Sequence, residues 1–238
     1  MSSLKGRTAV VTGASRGIGA GIAAAMAAEG ARVVMLARNE ARLKERSASV
    51  KGSIPIVCDV TKPDSVEKAA RRIITELKGA PDILVNNAGI FGVSPVEETS
   101  PDFFIETINT NLVGPFLLVR AFLGEMKKKR SGYIVTIGSV ADRTIYTGNA
   151  AYSAAKFGVR AIHEVLRAEL RGTGVRATLI SPAANNTDIW ATVDVTDPAV
   201  EARSQRPMLD PDDVARAVMF AVTQPERVNI DELRLSRS

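Results

Sequence analysis

Cysteine is nearly absent from this chain. Cys58 stands alone, so no intramolecular disulfide can form and stability must come from a buried apolar core. A lone thiol fits a reducing cytosol, and Cys58 itself reads as a small buried residue on a strand. Histidine is as scarce, with His163 the single example, and no metal site is expected. Aromatic residues make up 5% of the chain and the net charge is only +5, which leaves out the broad basic stripe and stacking platforms of nucleic acid binding. The one dense basic run, Lys127-Lys128-Lys129-Arg130, reads as a solvated helix end. No apolar run reaches the ~18 residues of a membrane span. The start, Met1 to Arg7, runs straight into an apolar strand and leaves no room for a signal peptide. A cytoplasmic protein is expected, with neither nucleic acid nor membrane as partner.

What the chain has instead is Ala, Val, Ile and Leu in short apolar runs, separated by longer helical patterns. Its 238 residues suffice for one large core, and no linker or repeat divides them, so residues 1–238 are expected to form a single domain. Strands are predicted at Thr8–Thr12, Arg32–Ala37, Ile54–Cys58, Ile83–Val85, Tyr133–Ile137 and Val175–Ile180, with an edge strand across Val228–Leu235. Helices are predicted over Ile18–Glu29, from about Asn39, over Ser65–Leu77 and over Asp212–Val222. This alternation implies an α/β fold, with a parallel sheet covered by helices on both faces. Asp188–Asp210 contains Pro198 and Pro207 and has little periodicity. It is expected to form a lid over the C-terminal ends of the strands, a plain surface excursion being the alternative.

Thr12-Gly13-Ala14-Ser15-Arg16-Gly17-Ile18-Gly19 lies directly between the first strand and the first helix. Gly13 suits a tight turn, Gly17 a close approach to a pyrophosphate, and Gly19 close packing of helix on sheet. The helix behind the loop offers unpaired N–H groups and the positive end of its dipole. In this context the loop reads as a dinucleotide site, with the spacing G-x-x-x-G-x-G. The second strand ends Leu36-Ala37-Arg38-Asn39, without the carboxylate that receives the ribose 2′-hydroxyl of NAD. Arg38 and Arg16 are placed to meet a 2′-phosphate, so NADP(H) is expected over NAD(H).

Tyr152 and Lys156 stand four residues apart in Tyr152-Ser153-Ala154-Ala155-Lys156, on one face of a helix. A phenol titrates near ~10 and is a poor acid–base group at neutral pH. An adjacent ammonium favours the phenolate, so Lys156 is expected to lower the Tyr152 pKa into a useful range. His163 lies on nearly the same face but about 16 Å further along the axis, and reads as a packing or interface residue.

Taken in order, Thr12–Gly19, Asp59-Val60, Asn86-Asn87-Ala88-Gly89, Asn111, Ser139 and Tyr152-x-x-x-Lys156 resemble the motifs of the short-chain dehydrogenase/reductase family over essentially the whole chain. The likeness is to its NADP-preferring carbonyl and ketoacyl reductases. It implies a single Rossmann-type, doubly wound parallel sheet of about seven strands that carries both coenzyme and substrate sites. The coenzyme would be held by Gly13, Ser15, Arg16, Gly17, Ile18, Gly19 and Arg38, with Asp59 and Val60 at the adenine and Asn87, Ala88 and Gly89 beside the ribose. Tyr152 would protonate the carbonyl oxygen, Ser139 would hold it, and Lys156 would bind the nicotinamide ribose. Asn111 would hold a water that links Lys156 to solvent. Donors at an oxygen that gains charge during hydride transfer stabilise the transition state, which agrees with these roles. The family commonly forms homotetramers, a dimer being the runner-up here. Helices around Pro101–Met126 and Ala151–Arg171 would meet their mates, and Phe103, Phe104, Phe116 and Phe122 would supply apolar surface.

One motif departs from the family pattern. In Ser181-Pro182-Ala183-Ala184-Asn185-Asn186-Thr187, Pro182 and Thr187 match, but Ala183 replaces a glycine and Asn185 an aliphatic residue. The loop lies beside the nicotinamide in the family, so these changes are expected to reshape substrate placement and not the chemical step. Val140, Asp142, Ile145, Asn149, Asn185, Ile189 and Trp190 are expected to line the substrate pocket with Ser139. No cation is evidently placed for a substrate carboxylate, which favours a neutral ketone or alcohol. The leading reading is an NADPH-dependent carbonyl reductase, reversible as an alcohol dehydrogenase. Reduction of a C=N or other activated double bond, epimerisation, and a non-catalytic NADP(H)-binding regulator are the alternatives.

Overall fold

Side chains on successive strand residues point to opposite faces, and here both faces are apolar. Ala9 and Val11 of β1 (Thr8–Thr12) enter one core while Val10 enters the other. The computed structural model describes residues 3–193 and 208–238. It contains β2 (Arg32–Ala37), β3 (Ile54–Val57), β4 (Ile83–Asn86), β5 (Gly132–Ile137), β6 (Val175–Pro182) and β7 (Glu232–Leu235). All seven strands form one parallel sheet in the order β3-β2-β1-β4-β5-β6-β7. The order reverses between β1 and β4, and a crevice opens there at the C-terminal strand ends.

Helices α1 (Gly17–Ala28) and α2 (Glu40–Ala48) cover one face together with α7 (Pro211–Val222), which follows the segment outside the described residues. The other face carries α3 (Pro63–Leu77), α5 (Gly114–Lys128) and α6 (Ala150–Leu170), with α4 (Pro101–Ile108) leading into a π-helical turn, Asn109–Val113. Local chemistry sets the boundaries. Ser100 caps α4, and Asp210 with Asp213 forms a capping box at α7. The basic run ends α5, where Lys129 leaves the helix to bond Asp82 at 3.0 Å. Cys58 is buried beside the sheet, and burial pushes its thiol up.

Two expectations need correction. Strand β7 begins at Glu232, four residues after the predicted start, because the side chain of Asn229 takes the place of backbone pairing. Asn229 accepts from Ala177 N and donates to Ala177 O, both at 3.2 Å. Phe122 is fully buried in the core under the sheet, and Phe103 packs beneath Gly92, so of the four phenylalanines only Phe104 and Phe116 are exposed. Of the proposed lid, residues 188–193 and 208–210 are described, whereas 194–207 lie outside the described residues. Asp188–Thr192 forms a short 3-10 turn, and Leu209 pairs with Asn185.

One buried hydroxyl joins the two central strands. Thr12 Oγ1 accepts from the backbone N–H of both Asn87 and Ala88 at 2.9 Å, and Asn87 Nδ2 donates back to Thr12 O at 2.9 Å. Thr12→Val keeps the shape but strands two buried donors, at a cost of about 1–3 kcal/mol for each N–H left unpaired. Urea unfolding is expected to show this loss for Thr12→Val and a clearly smaller one for Thr12→Ser.

Candidate active site

The Gly-rich loop turns at Gly13, whose φ of 65° favours glycine, and an added Cβ would stand 2.9 Å from Ala88 Cα. Gly19 packs under Asn87, where a Cβ would lie 2.4 Å from Nδ2, so it shapes the site from behind without lining it. Helix α1 begins with no side-chain cap and no acid in its first turn, and its N–H groups face the site unopposed.

A cavity of about 500 Å³ runs along the strand ends. Gly13, Ser15, Arg16, Gly17, Ile18 and Arg38 line one end, and Val60, Asn87, Ala88 and Gly89 border it. Arg38 is paired with Glu106 at 3.2 Å and Arg16 with Asp188 at 3.7 Å. All four side chains are well exposed, and such pairs are worth at most about 1 kcal/mol, so a dianion can draw the arginines away. Arg42, one turn into α2, adds a third cation to this end. Uncapped N–H donors, three guanidinium groups and a missing ribose carboxylate fit NADP(H). Asp59 does not line the cavity. Its carboxylate accepts from Thr61 N and Oγ1, at 3.0 and 2.8 Å.

At the other end, α6 brings Tyr152 and Lys156 beneath Ser139, which follows β5. Tyr152 and Ser139 line the same wall of the cavity, where Ser139 Oγ accepts from Ala141 N at 3.2 Å. Lys156 Nζ donates to Ile137 O at 2.9 Å and stands 5.5 Å from the centre of the Tyr152 ring. Tyr152 is half-buried at the cavity wall, and burial pushes its phenol up to about 12; the Ser139 hydroxyl opposes the shift and Asp142 adds to it. Burial pushes Lys156 down to about 8, against the pull of Asp142. The expected lowering of the phenol by the ammonium is therefore reversed. Desolvation disfavours the charge on both groups, and the lysine is bonded to a carbonyl and not to the phenol.

Asn111 sits buried in the π-helical turn, its Oδ1 accepting from Ile90 N at 2.9 Å and its Nδ2 donating to Ile90 O at 2.8 Å. Both polar atoms of the side chain are thus bonded to Ile90, leaving the main chain for the water-holding role that the resemblance implies.

Val140, Asn149, Asn185, Ile189 and Trp190 reach the cavity, as do Pro182, Ala183 and Thr187. Two predicted lining residues do not. Ile145 is 72% exposed and borders a separate groove with Phe157, because the chain swings outward after the turn Val140–Asp142. Asp142 turns inward, where arginines neutralise it. Ala183 keeps ordinary backbone geometry and donates to Leu235 O at 2.8 Å, so the missing glycine causes no strain. Asn185 Nδ2 donates to Ala183 O at 2.7 Å, its main-chain O accepts from Trp190 Nε1 at 2.9 Å, and its Oδ1 is buried without a partner.

Sequence reasoning missed Arg42 and Phe91. Phe91 meets Tyr152 and Trp190 edge-on, with ring centres 4.9 and 5.0 Å apart. Its position two residues after the Asn86–Gly89 motif was the available signal. His163 stays outside the cavity, bonded through Nε2 to Asp231 O at 3.1 Å, with burial pushing its pKa down.

These features place the chain among known proteins. The family model described as short chain dehydrogenase matches residues 7–197, and the chain belongs to that family. An uncharacterized oxidoreductase of Staphylococcus aureus strain MRSA252 is 35% identical over 235 residues, covering 98% of each chain. The closed form of a serine dehydrogenase complexed with NADP⁺ superposes with a TM-score of 0.89 at 32% identity, covering 96% of this chain and 94% of that one. A 3-ketoacyl-(acyl-carrier-protein) reductase from Brucella melitensis complexed with NADH gives a TM-score of 0.87 at 26% identity, covering 97% of each. The protein is an oxidoreductase of the short-chain type with NAD(P)(H) as its cofactor. Among the described residues, no helix is long and apolar enough to cross a membrane.

The buried lysine carries a stability signature. Its pKa is about 8 when folded against the ordinary 10.5, so between these values the unfolded chain binds more protons and stability rises with pH. Tyr152, raised from 10.0 to about 12, acts oppositely: its contribution is intact below pH 10 and is lost as pH climbs toward 12. Denaturant titrations from about pH 8 to pH 10 are expected to show a stability gain in the native chain that Lys156→Met lacks.

Proposed function

We propose that this enzyme reduces a neutral ketone to a secondary alcohol with NADPH, and runs in reverse as an alcohol dehydrogenase. When bound, NADPH supplies the hydride. Arg38, Arg16 and Arg42 hold the 2′-phosphate, the start of α1 holds the pyrophosphate, and Lys156 meets the nicotinamide ribose. Val60 borders the adenine, with Asp59 fixing the turn beneath it. Tyr152 donates the proton to the carbonyl oxygen while Ser139 orients that oxygen by hydrogen bonding. The phenol is protonated at neutral pH, the state that a proton donor in the reductive direction requires, while its upward shift to about 12 makes it a weaker acid than a free phenol.

The observation that carries this reading is the grouping of Ser139, Tyr152 and Lys156 on one wall of the cavity, at the far end from the arginines. Support for a neutral substrate comes from the charges on the wall. Among the described lining residues, Lys156 is the one charge at the catalytic end, and Ile137 O already engages it. Phe91 and Trp190 offer the substrate an apolar, aromatic wall, with Val140, Asn149, Asn185 and Ile189 completing it. Exposed Phe104, Ile105, Phe116 and Val165 on α4, α5 and α6 support self-association, read here as a homotetramer, for which light scattering measures the mass.

A ketone panel followed by NADPH absorbance tests the function. Tyr152→Phe is expected to lose at least a hundredfold in kcat, in the range of general acid catalysis, while retaining NADPH binding by fluorescence. A variant keeping more than a tenth of the activity would exclude Tyr152 as the main acid. Arg38→Asp is expected to lower the NADPH:NADH ratio of kcat/KM by at least tenfold, as loss of a charge-assisted phosphate contact requires. An unchanged ratio would remove Arg38 from the phosphate site.

A further inference from the structure

Directly behind the catalytic residues lies a charged group that the proposed reaction does not use. Asp142 closes the turn Val140–Asp142, which Ser139 caps, and its side chain has no exposed surface. Ser181, at the end of β6, donates to Asp142 Oδ2 at 2.5 Å. Arg143 Nε donates to Oδ1 at 2.7 Å, and Arg160 NH1 stands 3.8 Å from the same oxygen. Arg160 follows Tyr152 and Lys156 at the same four-residue interval, on one face of α6. Glu232 of β7 bonds Arg143 NH2 and stands 3.9 Å from Arg160 NH2. On the sheet side the carboxylate rests against Gly138, where an added Cβ would lie 3.1 Å from Oδ2.

Two acids and two arginines thus form a neutral group that ties the Ser139 turn to β6, α6 and β7. Gly138 separates Ser139 from Ile137, whose carbonyl holds the Lys156 ammonium. A buried ammonium bonded only to a neutral carbonyl is costly, and an anion in the same protein interior reduces that cost. The Asp142 carboxylate rests against Gly138 and the Lys156 ammonium on the adjoining Ile137 carbonyl, and the negative charge favours both the ammonium and the neutral phenol of Tyr152.

We propose that Asp142 is a positioning residue of the catalytic site, the buried anion that with Glu232 balances Arg143 and Arg160 behind Lys156 and Tyr152 while anchoring the Ser139 turn. It rests on the oxidoreductase reading of the same site. Asp142→Asn retains the size and an oxygen for Ser181 but removes the charge, leaving a net positive group beside the ammonium.

The test titrates the full-length enzyme with ¹³C-labelled lysine Cε, the Lys156 signal being assigned by its loss in Lys156→Met. Asp142→Asn is expected to lower the Lys156 midpoint by about one pH unit, the effect of removing one nearby buried charge. Ser181→Ala, which removes a hydrogen bond and no charge, is expected to leave the midpoint unchanged. Glu232→Gln is expected to move it the same way by less, and decides the matter should Asp142→Asn not fold. In turnover, the ascending limb of kcat for alcohol oxidation is expected to move to lower pH in Asp142→Asn. An unmoved Lys156 midpoint in Asp142→Asn, or in Glu232→Gln should that variant alone fold, overturns the proposal. The titration needs no turnover, so an enzyme inactive with every ketone and alcohol would defeat the reductase reading while the Lys156 midpoint still decided the role of Asp142.

Discussion

The hydrogen bonds that Thr12 Oγ1 accepts from the N–H groups of Asn87 and Ala88 hold β1 and β4 together where the strand order reverses. Every contact proposed for the coenzyme depends on that join. The loop after β1 turns at Gly13 because Ala88 leaves no room for a side chain, and α1 closes on the sheet at Gly19 because Asn87 sits against it. On the β4 side, Ile90 is clamped by Asn111, which links the same crevice to the π-helical turn before α5. One buried hydroxyl thereby joins the Gly-rich loop to the Asn87–Ala88 wall of the cavity. A buried network with every member bonded is rigid, which suits a site that must orient two molecules.

At the catalytic end the controlling quantity is the cost of burying charge. Simple adjacency of ammonium and phenol suggests that the lysine acidifies the tyrosine. The structure points the other way, with the phenol raised to about 12 and the ammonium lowered to about 8. Each group is enclosed, and enclosure penalises phenolate and ammonium alike. Both groups have a proton to give: the phenol shares a cavity wall with Ser139, and the lysine faces the Ile137 carbonyl. At neutral pH both protons therefore stay in place. Running the reaction in reverse requires the phenolate, which the same enclosure opposes, so oxidation should demand higher pH than reduction.

How much of this was legible in the sequence follows from how far apart the interacting residues lie. The strands and helices were readable because apolar periodicity is local, and Tyr152, Lys156 and the Gly-rich loop because their spacing within one element defines their geometry. The start of β7 depended on Asn229, whose side chain mimics a strand backbone against Ala177, some fifty residues earlier, and no periodicity encodes that. Asp142 reads as a pocket residue in the sequence because it follows Ser139 closely. Its true surroundings come from β6, α6 and β7, brought together only by the completed sheet. Phe91 offered only its place two residues after the Asn86–Gly89 motif, since its partners Tyr152 and Trp190 belong to distant segments.

The altered loop after β6 belongs to this tertiary network too. Ala183 sits without strain because its N–H simply continues the pairing of β6 with β7. Asn185 uses its main-chain oxygen to hold the Trp190 indole, and Trp190 presses edge-on against Phe91, which presses in turn against Tyr152. A change in the loop therefore reaches the tyrosine through two aromatic contacts and without moving the backbone of α6. Asn185 also brings a buried Oδ1 with no partner to the cavity wall, and a buried acceptor of that kind favours a ligand that can donate to it. The same aromatic chain and the same acceptor bound the space beside Tyr152, so in the proposed reaction the loop would select what meets Tyr152, while Ser139, Lys156 and the charges behind them would govern its proton.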